Sequence, residues 1–315
     1  MKKLFALQIL PVLSIGFLAV AGNATAQINF DGGPTGTGTN YLTPVNWSSD
    51  TVPTGLDVAM VDENFSPTLA GGASAQRLVL GNDAAMTIAS GGTMNVGAAD
   101  LYVGATGLAG ISGDGSASLT VSPGGALNAQ RHTYVASVNP FGRDGSLILN
   151  GGNVTATNRF WVGNGAINDT VTGSVSINGS SVNWTTASVD MNLGGGNGFA
   201  TINFTPDAIG VSTLAAQTLT LGGAKATLNV DFSGYSIAAG STLNLFTYSG
   251  ALSGTFGTVN FTGLAPGESA SINYGTGLNS VISITAVPEP STYGLILAAG
   301  ALVVGLTRAR SKRMA

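Results

Sequence analysis

Along most of the chain, single apolar residues alternate with Ser, Thr or Asn in short runs. Leu119 and Val121, Val175 and Ile177, and Ile202 and Phe204 each flank one polar residue, and Leu147 and Leu149 follow the same spacing around Ile148. A period of two puts alternate side chains on one face, so these runs predict β-strands with an apolar face turned inward. The texture repeats in "MTIASGGTMNV" from Met86, "LTVSPGGALNA" from Leu119, "LILNGGNVTAT" from Leu147, "VSINGSSVNWT" from Val175, "INFTPDAIGVS" from Ile202 and "LNVDFSGYSIA" from Leu228, at intervals of 26 to 33 residues. A second series runs out of phase with the first: "LVLG" ending at Gly81, "LYVG" at Gly104, "TYVA" at Ala136, "FWVG" at Gly163, "VDMN" at Asn192 and "LTLG" at Gly222. Each unit therefore holds at least two short strands joined by Gly or Asn turns. A single unit cannot bury its apolar face, but stacked units can, and the pattern predicts an all-β, right-handed parallel β-helix. A β-sandwich is the competing architecture, although its strands seldom repeat the same turn residues at a fixed period. The expected layout is an N-terminal cap and first coil over 27–80, solenoid repeats of about 28 residues over 81–224, and a less regular β region and cap over 225–286.

Composition supports that reading and changes the picture at the two ends. Of 315 residues, 47 are Gly and only 8% are charged, a mixture that favours short strands and many turns. There is no Cys, so neither a disulfide framework nor a thiolate metal site is available. Lys2 and Lys3 precede an apolar stretch and Ala24-Thr25-Ala26, which reads as a secretory signal peptide over 1–26 handled by Sec-type export machinery. A retained membrane anchor is the other reading of that segment. Between Ile28 and Ala286, Arg77, Arg131, Arg143, Arg159 and Lys225 face 14 carboxylates, a net charge of −9. An acidic body without a basic stripe along the sequence argues against a nucleic-acid partner.

Two stretches resemble known families. In "NYLTPVNWSSDTVPTGLDVAMVDENF", Asn46, Trp47, Pro53 and Asp57 fall where the head of bacterial autotransporter-passenger β-solenoids carries Asn-Trp, Pro and Asp. The resemblance implies that Trp47 closes the apolar end of the solenoid. The C-terminal stretch 287–313 resembles the PEP-CTERM sorting signal of Gram-negative bacteria. It has Val287, Pro288, Glu289 and Pro290, then an apolar run, then Arg308, Arg310, Lys312 and Arg313. That resemblance implies processing by an exosortase-type membrane peptidase and delivery to the cell surface or extracellular matrix.

The residues of this stretch carry a physical expectation of their own. The uncharged run Tyr293–Leu306 is 14 residues long, about 21 Å as a helix against the roughly 30 Å of a hydrocarbon core. With Thr307 and a snorkelling Arg308 it makes a short transmembrane helix over 293–307, and the basic cluster stays on the cytoplasmic side of the inner membrane. Pro288 and Pro290 are expected to keep the approach to that helix out of regular structure. A plain anchor with a proline linker is the alternative.

Candidate chemistry in the body is sparse. His132 is the one histidine, which excludes multi-histidine metal sites and leaves any catalytic triad dependent on it. Glycoside hydrolysis needs a pair of carboxylates, and the adjacent pair Asp62-Glu63 reads as turn charge. Asp114, Asp144 and Asp169 each stand shortly before a repeat strand and are weak candidates for Ca²⁺, with Asx turns the competing explanation. No cofactor is expected, and the Gly-rich stretches lack the GK[ST] ending of a phosphate loop. Aligned by repeat, Tyr102, Tyr134 and Trp161 occupy one outward position in three successive coils, a ladder that suits a sugar chain or that shields the wall. The expected function is that of a non-enzymatic surface or matrix protein associated with exopolysaccharide or biofilm. The alternatives are a polysaccharide lyase or hydrolase and a glycan-binding adhesin.

Overall fold

In the first half of the solenoid each turn of the chain makes three strands. One turn comprises Ala85–Ile88, Thr93–Val96 and Leu101–Val103, and the next Ala117–Val121, Ala126–Ala129 and Thr133–Ser137. The computed structural model describes residues 25–106, 116–137, 141–142, 144–164, 170–192 and 197–288. The fragments from Met86, Leu119 and Leu147, read as single units, each hold two strands, or the start of a second, bent around a Gly-Gly pair. Gly124 takes φ +75°, and a Cβ on Gly125 would lie 2.9 Å from the Ile88 carbonyl oxygen, so both positions of that turn favour glycine for different reasons.

Stacked turns form three walls of a parallel β-solenoid. The first wall has eight parallel strands, from Thr68–Leu69 through Ala85–Ile88, Ala117–Val121, Gly145–Leu149, Thr172–Asn178, Phe199–Thr205 and Gly223–Asp231 to Phe256–Thr262, giving about eight turns. The second wall runs through Gly72–Ala75, Thr93–Val96 and Ala126–Ala129, and the third through Val58–Val61, Arg77–Leu80, Leu101–Val103 and Thr133–Ser137. From Asn153–Asn164 onward one long strand serves both walls, bending at a register shift between Ala156 and Arg159. Parallel rungs thus extend on both sides of 81–224. Among the described residues there is no α-helix, only two 3₁₀ turns at Gly33–Thr35 and Pro44–Asn46.

The pairing register matches the apolar alternation of the sequence. Met86, Leu119, Leu147, Val175, Ile202 and Leu228 stack in one column, and all are buried. Leu78, Leu101, Thr133, Phe160, Val189 and Leu219 stack in another, which is the second series in register. Because the side-chain period is two, a slip of one residue would turn either column to solvent, so burial fixes the register. Outward positions of the first wall are mostly Ser, Thr and Asn, with Ile148 as an exception, and several are joined from rung to rung. Asn229 Nδ2 donates to Asn203 Oδ1 at 2.8 Å and Asn260 Nδ2 to Asn229 Oδ1 at 2.9 Å.

Both ends carry caps. Trp47 is buried edge-on against Phe30 and Tyr41, with ring centroids 5.1 and 4.7 Å away, and its Nε1 donates to the Tyr41 carbonyl at 2.7 Å. At the other end, Thr242–Tyr248 pairs antiparallel with Ser280–Pro288, which pairs antiparallel with Glu268–Asn273. One expectation is corrected here. The approach to Pro288 is regular strand, with Val287 opposite Ser269 and Pro288 opposite Glu268. Proline is tolerated because beyond Thr285 this strand is paired on one side only, as an edge is.

A turn between walls supplies a pH-dependent lock. Asp207 accepts hydrogen bonds from Ser180 N at 2.8 Å, Ser180 Oγ at 2.9 Å, Ile209 N at 2.8 Å and Gly210 N at 3.1 Å. These donors, the Ser180 amide first, lower its pKa to about 2. A carboxylate with a depressed folded pKa stabilises the fold above its unfolded value of about 3.9, and that contribution is lost as pH falls through about 2. The expected result is that the melting midpoint falls more steeply over this acid range in the parent than in Asp207→Ala. Parallel curves in a calorimetric pH series would remove this role.

Candidate functional site

The outward side of the third wall concentrates the chemistry. Tyr102 pairs with Tyr134 and Tyr134 with Trp161, because their inward neighbours Leu101, Val103, Val135, Phe160 and Val162 are locked in the core. The same column begins with Val79 and continues to Asp190 and Thr220. Tyr102 and Tyr134 stack with centroids 4.7 Å apart and planes at 4°, and Tyr134 and Trp161 at 4.4 Å and 29°. The rise between rungs, about 4.8 Å, imposes this face-to-face arrangement. Tyr134 therefore has both flat faces covered by rings, while Tyr102 and Trp161 each have one face in the stack and Arg159 lies over the Trp161 ring. Tyr102 is buried with Met60, Val79 and Ala105 in an apolar cluster separate from the solenoid core, whereas Tyr134 and Trp161 are half-buried.

Two residues before each aromatic, the sequence places Arg77 (before Val79), Asp100, His132 and Arg159. Outward positions two apart share a face, so these line the column. Tyr102 Oη donates to Asp100 Oδ2 at 3.1 Å, and Arg131 Nε lies 3.5 Å from Asp100 Oδ1, an ion pair too long for a good hydrogen bond. Arg159 sits over the Trp161 ring at 5.7 Å, and the His132 ring lies 5.0 Å from it. Asp190 is buried and accepts from Ser188 Oγ at 3.2 Å. Arg77 Nε and His132 Nδ1 are buried without a hydrogen-bond partner.

Burial governs the protonation states. It pushes the Tyr102 hydroxyl up to about 12, reinforced by Asp100, and raises Tyr134 as well. It lowers His132, against the pull of Asp100 and with the help of Arg131 and Arg159. Asp190 is raised by burial and held back by its hydrogen bonds from Ser188 and Thr220. Near neutral pH the tyrosines are therefore neutral donors and His132 is an uncharged acceptor, with the guanidinium groups around them.

The remaining candidates lie apart from this face. Asp144 is exposed, and its Oδ1 accepts from the Thr172 amide at 2.6 Å, a bond that bridges one rung to the next. Asp114 and Asp169 lie outside the described residues, and among the described residues no group of three or more His, Asp or Glu is placed to hold a metal ion. Asp62 and Glu63 form a turn, where burial and the Glu63 charge raise Asp62. Val287 is exposed at the end of the last strand. Glu289, Pro290, Arg308, Arg310, Lys312 and Arg313, the helix over 293–307 and nearly all of the segment 1–26 lie outside the described residues. No helix among the described residues is long and apolar enough to cross a membrane. A concavity of about 560 Å³ follows the bend between the second and third walls, lined by Thr185, Thr186, Ala216, Thr247 and their neighbours, without a charged group.

Sequence reasoning found the aromatic column and missed its charged flank. The signal was present one step to the left, in "RLVLG", "DLYVG", "HTYVA" and "RFWVG", where a charged or imidazole side chain recurs at the same offset. No family model, curated protein or solved structure matches the chain.

Proposed function

We propose that the chain is an exported, non-enzymatic surface or matrix protein that holds exopolysaccharide on the outward face of its third wall. In this proposal the β-helix winds right-handed, as parallel crossovers overwhelmingly do. Sec-type machinery exports the chain, and the C-terminal signal anchors it briefly in the inner membrane. An exosortase-type peptidase then releases it to the cell surface. The observation that carries the proposal is the half-buried pair Tyr134 and Trp161, held rigid by stacking and bordered by Arg131, His132 and Arg159. A solenoid suits the task because its rungs present side chains at a fixed spacing along one axis.

A second reading, a polysaccharide lyase or hydrolase, draws on one specific feature. His132 is neutral, its Nδ1 is unpartnered, and cations stand beside it, an arrangement that can take a proton next to a bound anion. One experiment separates the two. Parent protein is expected to be retained on native exopolysaccharide without releasing sugar, and Tyr134→Ala with Trp161→Ala to lose retention. Unchanged retention in that variant removes the face from the account, and sugar release that stops in His132→Ala replaces binding with catalysis.

A further inference from the structure

Resting on the glycan-binding face above, we propose that its ligand is an acidic polysaccharide whose uronate carboxylates are bound by Arg131 and Arg159. Three of the five basic residues between Ile28 and Ala286 stand on this face, although the same stretch carries 14 carboxylates. The acids that accompany them are withdrawn from solvent. Asp100 and Asp190 are buried and engaged by Tyr102, Arg131 and Ser188. Arg159 is exposed, and the Arg131 side chain is 52% accessible. What solvent meets along Tyr134 and Trp161 is therefore positive charge on an otherwise acidic body, and guanidinium forks match carboxylates in geometry as well as charge.

The ring geometry narrows the ligand further. Sugar rings and nucleobases both bind aromatics through flat faces, and here both faces of Tyr134 and one face each of Tyr102 and Trp161 are taken within the stack, with Arg159 over the Trp161 ring. Charge and hydrogen bonds must then supply the affinity, which favours a charged sugar over a neutral one and disfavours stacked bases. A polymer fits better than a small anion because the cations are spread along the axis. Arg131 and Arg159 belong to adjacent rungs, about 4.8 Å apart along the axis, and Arg77 to a rung two further along. Trp161 steadies Arg159 through its ring, so less side-chain freedom is lost when a carboxylate docks.

The test uses the purified full-length chain with polygalacturonate, the same polymer with its carboxyls reduced, and duplex DNA, each at two salt concentrations. Polygalacturonate is expected to bind, to weaken as salt rises, and to lose about tenfold or more in affinity in R131Q/R159Q, two charge-assisted contacts being removed. Arg159→Lys, which keeps charge but not the fork, is expected to fall in between. The single variant Arg159→Gln, which leaves the Asp100 pair intact, guards against a folding defect. Equal binding of the reduced polymer overturns the acidic ligand and leaves the glycan face standing. Binding of neither polymer overturns both, and DNA bound as tightly as polygalacturonate overturns the choice of sugar.

Discussion

Trp47→Ala is expected to lower the unfolding free energy by about 3 to 5 kcal/mol, the cost of emptying a large buried aromatic site. The indole is 1% exposed, and its loss removes two edge-on ring contacts, with Phe30 and Tyr41, together with the bond from Nε1 to the Tyr41 carbonyl. Phe30 also stands 5.7 Å from Phe65, so the cavity borders a larger aromatic cluster. A solenoid depends on its terminal rungs being covered, and this chain has no disulfide to compensate. Trp47→Phe keeps most of the packing but leaves a buried carbonyl unpaired, and should cost about 1 to 3 kcal/mol. Guanidinium unfolding of both variants checks the order. A loss below about 1 kcal/mol in Trp47→Ala would mean that the N-terminal aromatic cluster is not a cap.

Gly173→Val should prevent folding of the middle rungs at 37 °C. Ala117, Gly145, Gly173, Ala200 and Ala226 form one inward column at the start of the first-wall strands. There the chain passes against the third-wall corner of the neighbouring rung. A Cβ on Gly173 would lie 2.5 Å from the Val135 carbonyl oxygen and closer still to the Gly163 amide, both backbone atoms that cannot rotate away. Overpacking ordinarily costs about 1 to 3 kcal/mol, and a clash with backbone on two rungs lies at or above the top of that range. Far-ultraviolet dichroism on heating checks it: the variant is expected to lack a cooperative transition near that of the parent. Ala200→Gly, at the next position of the column, is expected to cost about 1 to 2 kcal/mol, through backbone freedom and the loss of a buried methyl group.

The sequence makes the register legible because burial of one face of each strand demands it. Leu119, Leu147 and Val175 sit where the alternation puts them, and Tyr102, Tyr134 and Trp161 align as the repeat does. The third strand of each turn stays hidden, because the Gly-Gly turn leaves "LTVSPGGALNA" looking like one texture when it is two strands. The strand through Pro288 escapes because residue types do not show that this stretch is paired on one side only, where a proline is tolerated. The charged flank escapes for a different reason. Arg77, Asp100, His132 and Arg159 are 23 to 32 residues apart along the chain, and only the winding of the solenoid places them on one face. The spending of the ring faces depends on the spacing between rungs, which residue types alone do not encode.

The most direct test of an exported, polysaccharide-holding protein is to fractionate native cells and weigh the mature chain in each fraction. The account predicts a chain that starts near Gln27, lacks the segment beyond the Pro-Glu-Pro motif, and co-fractionates with extracellular polysaccharide until that polymer is removed. An intact chain through Ala315 in the inner membrane at steady state, indifferent to the polymer, would contradict it.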